Sequence, residues 1–393
     1  SNAIASLFQA HPEYFVRTTS AEAYYNAYIA RNRNFTETIT AGYGMADITF
    51  SKQLQVQTGL RWEKTELDAL EFDPLNKTQM AAGGFPVTIF NPATNKEIPT
   101  TRSIPSYQYQ YFTKPRIHRK NDYEDLFPMI SAKYRFSRNL QFHVGYNQAI
   151  ARPSTDSLSG EWEFDYGKSI ITIPNPDLLP EYSKNYVSRL AYYFEPAGLL
   201  SVTATQNDVR NNWDRTDMLG DVYGVEDPSY NAYTIRVRTN SPNPVRYRSI
   251  EYAYSQTLPF QAEALRGITV NLAYTRAYSQ SYDNKRRNNL PHRATSSLGY
   301  HYRRLSVRLG VVWRDDAPQS TLGEYRLHDT KYDLGGEFVI TKNLSFYFQG
   351  RNIFNDGVST MSTPPGLPDG QNAALRTYEN YGANWNFGIK GTF

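Results

Sequence analysis

A few residues between positions 150 and 215 have the types and spacing to hold a ligand. Arg152, in QAIARPS, offers a guanidinium to an anionic group. Trp162, Phe164 and Tyr166 fall at every second position of EWEFDYG, so their rings share one side of an extended segment. Trp213 stands close to Arg210 and Asn211 in VRNNW. Flat aromatic faces stack on sugars or on a catecholate, and neighbouring amides, carboxylates or guanidiniums orient the hydroxyls. Each also has a structural reading. Arg152 precedes a proline where a strand ladder stops, and loop aromatics pack loops over one another.

Catalysis has no such support. No G-x-S-x-G, H-E-x-x-H or glycine-rich phosphate loop occurs, so an enzyme is not expected. The 6 histidines are scattered, with no pair spaced for one helix face, and there are 0 cysteines. Neither a metal site, a disulfide framework nor a cofactor is expected. With 42 basic against 38 acidic residues the formal charge is +4, which leaves no nucleic-acid footprint. No apolar run approaches the roughly 20 residues of a membrane helix. The 32 tyrosines and 20 phenylalanines are nevertheless the aromatic load of proteins that sit at a membrane interface.

The elements that must position these residues are strands. From about residue 38 alternating runs of roughly ten residues recur, about thirteen in all, near 38, 53, 125, 139, 183, 199, 246, 267, 292, 304, 325, 342 and 377. In the run from Leu140, Leu140, Phe142, Val144 and Tyr146 face one way, and Gln141, His143, Gly145 and Asn147 the other. In the terminal YGANWNFGIKGTF, Trp385, Phe387, Ile389 and Phe393 oppose Asn384, Asn386 and Lys390. Helix is nearly absent, and SAEAYYNAYIARN from Ser20, with a possible N-cap serine, reads as a loop element. Tight connections at 51–52, 137–139, 195–198, 303–304 and 341–343 alternate with long ones at about 73–122, 153–182, 215–244, 279–291, 315–324 and 355–376. Tight turns therefore gather at one end of the sheet and long loops at the other, as in an outer-membrane barrel.

A soluble sandwich would also alternate. Here the apolar faces are large and aromatic on nearly every run, and the polar faces are rich in Asn, Gln, Ser, Thr, Gly and Arg. The fold expected is all-β: an antiparallel transmembrane β-barrel whose apolar face, Trp385, Phe387, Ile389 and Phe393 included, meets lipid. Inside hydrocarbon an unpaired backbone edge costs several kcal/mol per group, so such a sheet must close. An odd strand count leaves the first and last strands parallel, which predicts further strands before residue 38. Residues 1–3 read as an expression-tag remnant, 4–34 as a loop segment and 35–393 as the C-terminal barrel portion.

Several stretches carry a resemblance. AGYGMADITF with GLRWEKT, QAIARPS, NPDLLPEYSKNY, GRNIFND and the terminal strand, in this order and spacing, resemble the C-terminal barrel half of TonB-dependent receptors, outer-membrane active transporters of Gram-negative bacteria. The resemblance implies the last thirteen or so strands of a barrel of about 22, whose lumen is plugged. No candidate plug or TonB box is found in this sequence. It further implies energised uptake of a scarce small-molecule ligand, an iron-siderophore complex or an oligosaccharide, with TonB–ExbB–ExbD and outer-membrane lipid as partners. A passive porin or adhesin-type barrel, and a soluble secreted all-β binding protein, are the other readings. For the motifs themselves, Asn175-Pro176-Asp177 and Pro180-Glu181 read as turn formers. The run from Asp283 to Arg287 reads as a solvated loop or as an anion-steering patch. Tyr146, Tyr192, Tyr252, Tyr254, Tyr274 and Tyr300 read as an interfacial girdle.

Overall fold

The computed structural model describes residues 6–7, 10–14, 20–30, 32, 34–93, 96–159, 162–225, 228–281, 290–319, 324–363 and 372–391. The expectations for residues 1–3, for the 283–287 run and for Phe393 lie outside them.

Thirteen strands form one antiparallel sheet in sequence order. They are β1 (Asn34–Thr49), β2 (Leu54–Glu71), β3 (Ile117–Arg135), β4 (Leu140–Ala151), β5 (Glu181–Phe194), β6 (Gly198–Arg210), β7 (Val245–Thr257), β8 (Ile268–Ser281), β9 (His292–Tyr302), β10 (Leu305–Arg314), β11 (Asp329–Thr341), β12 (Leu344–Arg351) and β13 (Asn384–Gly391). β1 and β13 stand at its two edges, and the sheet is not closed. Tight and long connections alternate as the turn signals require. Two tight turns share the signal F-S-basic-x-L and the same construction. Ser51 Oγ accepts from the backbone N–H groups of Gln53 and Leu54, both at 3.1 Å, and Ser137 Oγ accepts from those of Asn139 and Leu140 at 3.1 and 3.0 Å.

Register carries the alternation across the sheet, with one irregularity between Val339 and Thr341 at the end of the β11–β12 pairing. Tyr274 opposes Tyr252, Val270 opposes Leu298, Leu309 opposes Leu334, and Phe346 opposes Phe338 and Ile389. This apolar face is open: Phe346 is 38% and Trp385 45% exposed, with no dry core behind them. Loop residues Leu158 and Leu178 pack on Leu67 of β2, on the opposite face, together with Phe35 and Tyr123. The long loops thus fold over the polar side, which makes it the inner one. Along it runs a ladder from β7 to β9: Ser255 Oγ donates to Asn271 Oδ1 at 2.6 Å, and Asn271 Nδ2 donates to Ser297 Oγ at 3.2 Å.

Two expectations are corrected. Residues 20–30 are helical rather than loop: α1 (Ala21–Tyr25) is capped by Ser20 Oγ, which accepts from Ala23 N at 3.0 Å, and a π turn follows over Asn26–Ala30. So short a helix is marginal alone. Here Tyr25 meets Tyr107 and Tyr111 at 5.0 and 6.0 Å, and the packing holds it. The wall strands expected from about 325 and 377 start later, at Asp329 (β11) and Asn384 (β13). Glu324–Arg326 and Ala374–Glu379 belong with Ala317–Pro318 and Val358–Ser362 to a small sheet among the loops. Gly382 at φ +76° breaks the extended chain before β13 resumes.

Candidate ligand-binding region

Three long loops build a common cap at one end of the wall. The loop from 72 to 116 contributes α2 (Lys77–Ala82), started by a capping box between Asn76 and Gln79, and α3 (Ile104–Phe112), started by Ser103. The loops at 152–180 and 211–244 contribute a four-stranded sheet in the order 213–219, 234–240, 170–173, 163–165. Its central pair is parallel, Ile171 opposing Ile235 and Ile173 opposing Val237. These four residues are buried with Leu75, Met80, Val87, Tyr166, Tyr230 and Tyr233 in one core. No sequence signal marks the parallel pairing, because its two strands belong to different loops.

The aromatic triplet of EWEFDYG enters that core. Phe164 stacks on Tyr166 at 5.5 Å and meets Tyr230 at 5.8 Å, and Trp162 lies 6.4 Å from Phe164. Tyr166 is buried, and its hydroxyl accepts from Gln110 Nε2 at 3.3 Å. Tyr111 Oη donates to the backbone oxygen of Trp162 at 3.0 Å. Arg102, which the sequence reading passed over, lays its guanidinium 4.5 Å from the Tyr107 ring and donates to Gln110 Oε1 at 2.5 Å.

The second aromatic group lies apart, where β6 gives way to the cap. Arg210 covers the Tyr182 ring at 4.8 Å. Asn211 holds a left-handed φ of +57°, a conformation asparagine tolerates, and its carbonyl accepts from Asn240 Nδ2 at 2.8 Å. Trp213 Nε1 donates to the Leu179 carbonyl at 2.8 Å, and the ring packs on Leu158 and Leu178.

Arg152 reaches the wall. It donates to Glu63 Oε2 at 2.5 Å and to Thr65 Oγ1 at 3.1 and 3.2 Å, with Glu37 at 3.8 Å. Glu63 also pairs with Arg61. Those partners were available in GLRWEKT, where Arg61, Glu63 and Thr65 share one face, but their meeting with Arg152 depends on how the loop turns. Further along the inner face, Lys133, His143 and Arg189 stand side by side on β3, β4 and β5. An inner concavity of about 560 Å³ runs from Ser255 past Asn271 and Ser297 to Arg308 and Gln349.

Protonation states in the cap favour neutral hydroxyls and fixed ion pairs. Burial, with the Glu97 charge beside it, pushes the Tyr233 phenol up to about 12, and burial raises Tyr166 as well. Both stay donors at neutral pH. Asp217 is held below the usual carboxylate range by hydrogen bonds from Arg236, at 3.1 and 2.9 Å, against the opposing effect of burial. Among the described residues no group of three or more His, Asp or Glu is placed to hold a metal ion. The cap thus closes on its own aromatic core, while the inner face of the wall is polar and carries cations toward the tight turns. The sequence-chosen aromatics are mostly inside that cap.

The family described as "TonB dependent receptor-like, beta-barrel" matches residues 6–353. Among solved structures the chain is similar to the copper transporter OprC (TM-score 0.58, 10% identity, covering 91% of this chain and 49% of that one). It is also similar to a mutant ferric enterobactin receptor from Pseudomonas aeruginosa in complex with enterobactin (0.56, 14%, 91% and 54%). A third is the siderophore receptor PiuA from Acinetobacter baumannii (0.53, 14%, 83% and 40%). At these identities the likeness is one of fold, and the chain spans about half the length of those structures or less. No curated protein matches the sequence.

Proposed function

The chain belongs to the TonB-dependent receptor-like β-barrel family, and on that premise we propose that it is the barrel portion of a Gram-negative outer-membrane receptor for energised uptake of a metal chelate of the siderophore class. TonB–ExbB–ExbD supply the energy, the apolar face meets outer-membrane lipid, and the protein carries out transport without catalysis. The observation that carries this reading is the family match over a wall whose exposed face is aromatic and aliphatic and whose inner face is polar. Siderophore receptors among the structures of the same fold favour a chelate over an oligosaccharide. So does the inner row of Lys133, His143 and Arg189, which suits an anionic cargo. Arg152, Trp162, Phe164, Tyr166, Arg210, Asn211 and Trp213 shape the ligand region, the aromatics by holding the cap in form.

The test is uptake by a deletion strain. Loss of radiolabelled ferric-siderophore accumulation, restored by the intact gene only where TonB is present, is expected. Unchanged accumulation under iron limitation, with a growth defect on defined oligosaccharides instead, overturns the chelate assignment.

A further inference from the structure

Toward the loops the outward face of the wall is charged unevenly, and the division falls at β4. On β2 and β3 it carries Glu66, Asp68, Asp122 and Glu124 against Lys64 and Lys120, with Glu66 directly opposite Asp122. Lys64 Nζ donates to Glu66 Oε1 at 2.7 Å, and Asp68 pairs with His118 at 2.9 Å. Asp122 and Glu124 are exposed, and among the described residues neither forms an ion pair. On β5 to β7 the same level carries Lys184, Arg210, Arg246 and Arg248 against Asp208. Asp208 accepts from Arg246 Nε at 2.5 Å, which leaves Lys184, Arg210 and Arg248 exposed and in excess. Between the two groups β4 presents only Gln148 and Ile150.

Both groups stand at one height. Glu66, Asp122 and Glu124 lie twelve, thirteen and eleven residues from the tight-turn ends of their strands, and Lys184, Arg210 and Arg248 ten, twelve and nine. At ~3.4 Å per residue and a tilt of ~40° that is ~23–34 Å along the barrel axis, at the edge of the ~25 Å apolar band. Closer to the tight turns the face is hollowed. Ala132, Val144, Ser188 and Ala204, side by side in register, floor a depression of about 560 Å³ next to Tyr146 and Tyr186, whose rings lie 5.1 Å apart. Short side chains there let a second wall come close in lipid.

Opposite charge at equal height on the two sides of one strand is the condition for a self-complementary contact. A two-fold axis along the membrane normal through β4 sets β3 of one copy against β5 of the other, and β2 against β6. Asp122 and Glu124 then meet Lys184, and Glu66 meets Arg210, each pairing occurring twice. A phosphate-bearing lipid would satisfy the cations alone and leave the carboxylates unpartnered, whereas a second copy satisfies both. At the edge of hydrocarbon such attraction is stronger than in bulk water.

Building on the membrane reading above, we propose that two copies of this chain associate side by side through the outward face of β2 to β6, with β4 at the two-fold axis. The sequence has 0 cysteines, so a single introduced thiol reports on one position. In native outer-membrane fragments treated with a short thiol cross-linker, Val144→Cys on β4 is expected to give roughly tenfold more covalent dimer than Leu298→Cys on the outward face of β9. Glu66→Lys with Asp122→Lys is expected to lower the Val144→Cys dimer roughly fivefold. Adding Lys184→Glu and Arg210→Glu, which exchanges the signs and restores complementarity, is expected to return it to within about twofold of the parent. Should the reversed variant fail to insert, Lys184→Gln alone is expected to lower the dimer about threefold. Equal yields at the two thiols, nil included, or a dimer indifferent to the charge changes, overturn the association and leave the membrane reading standing. Protein recovered only outside the membrane overturns both.

Discussion

The guanidinium of Arg152 donates to the carboxylate of Glu63 at 2.5 Å, joining the segment that leaves β4 to the middle of β2. Glu63 is 9% exposed on its side chain and has Arg61 as its other partner. Arg152→Ala, which leaves that second pair in place, is expected to cost about 2 kcal/mol, the range for losing a hydrogen bond to a charged group. Chemical unfolding in detergent measures it, and Arg152→Ala with Glu63→Gln should recover part of the loss.

The cap has its own core and can be weakened by itself. Ile171 is fully buried at the parallel pairing, and Ile171→Ala should cost about 2–4 kcal/mol locally. Hydrogen exchange should accelerate at 163–173 and 234–240 and stay unchanged in β8 to β10. A uniform acceleration across the wall would contradict the separation.

Phe164 distinguishes packing from ligand stacking. If its ring serves the cap, Phe164→Leu keeps chelate affinity within about twofold while Phe164→Ala loses it together with cap stability, since the cost of truncation grows with the cavity left behind. Equal loss in both variants, with the cap intact, would assign the ring to the ligand.

Alkaline pH should loosen the cap. The folded phenol of Tyr233 titrates at about 12, above the unfolded value of roughly 10. Its contribution is therefore complete below pH ~10 and is lost as pH rises toward 12. Cap protection followed between pH 9 and 12 should fall less in Tyr233→Phe than in the parent.

Acid acts through the opposite sign. Asp217, lowered by Arg236, contributes above the unfolded carboxylate range, and that contribution disappears as pH falls through its lower folded value. The pair is partly exposed, so the effect is at most about 1 kcal/mol. Asp217→Asn should flatten cap stability between pH 5 and 3.

The wall was readable because a sheet wetted differently on its two sides must write a period of two. Leu140 to Tyr146 and Leu305 to Trp313 could be assigned to faces before any pairing was known. The capping serine at 20 was also readable, but the helix it starts owes its stability to Tyr107 and Tyr111, which lie over eighty residues away. The cap was illegible for the same reason: Ile171 and Ile173 flank Thr172, and Ile235 and Val237 flank Arg236, like any short strand, and nothing local tells them to run parallel. Trp162, Phe164 and Tyr166 were visible as a one-sided triplet, yet whether that side met a ligand or a core depended on Tyr230, contributed by another loop.

Since residues 170–173 and 234–237 are neighbours in one small sheet, the two segments carrying them behave as a single transplantable unit. A chimera that exchanges 152–180 alone would strand half of that sheet against a foreign partner, whereas moving 152–180 and 211–244 together preserves it. Variation in this part of the molecule should accordingly be inherited in pairs, and hairpins at the opposite end should be exchangeable one at a time.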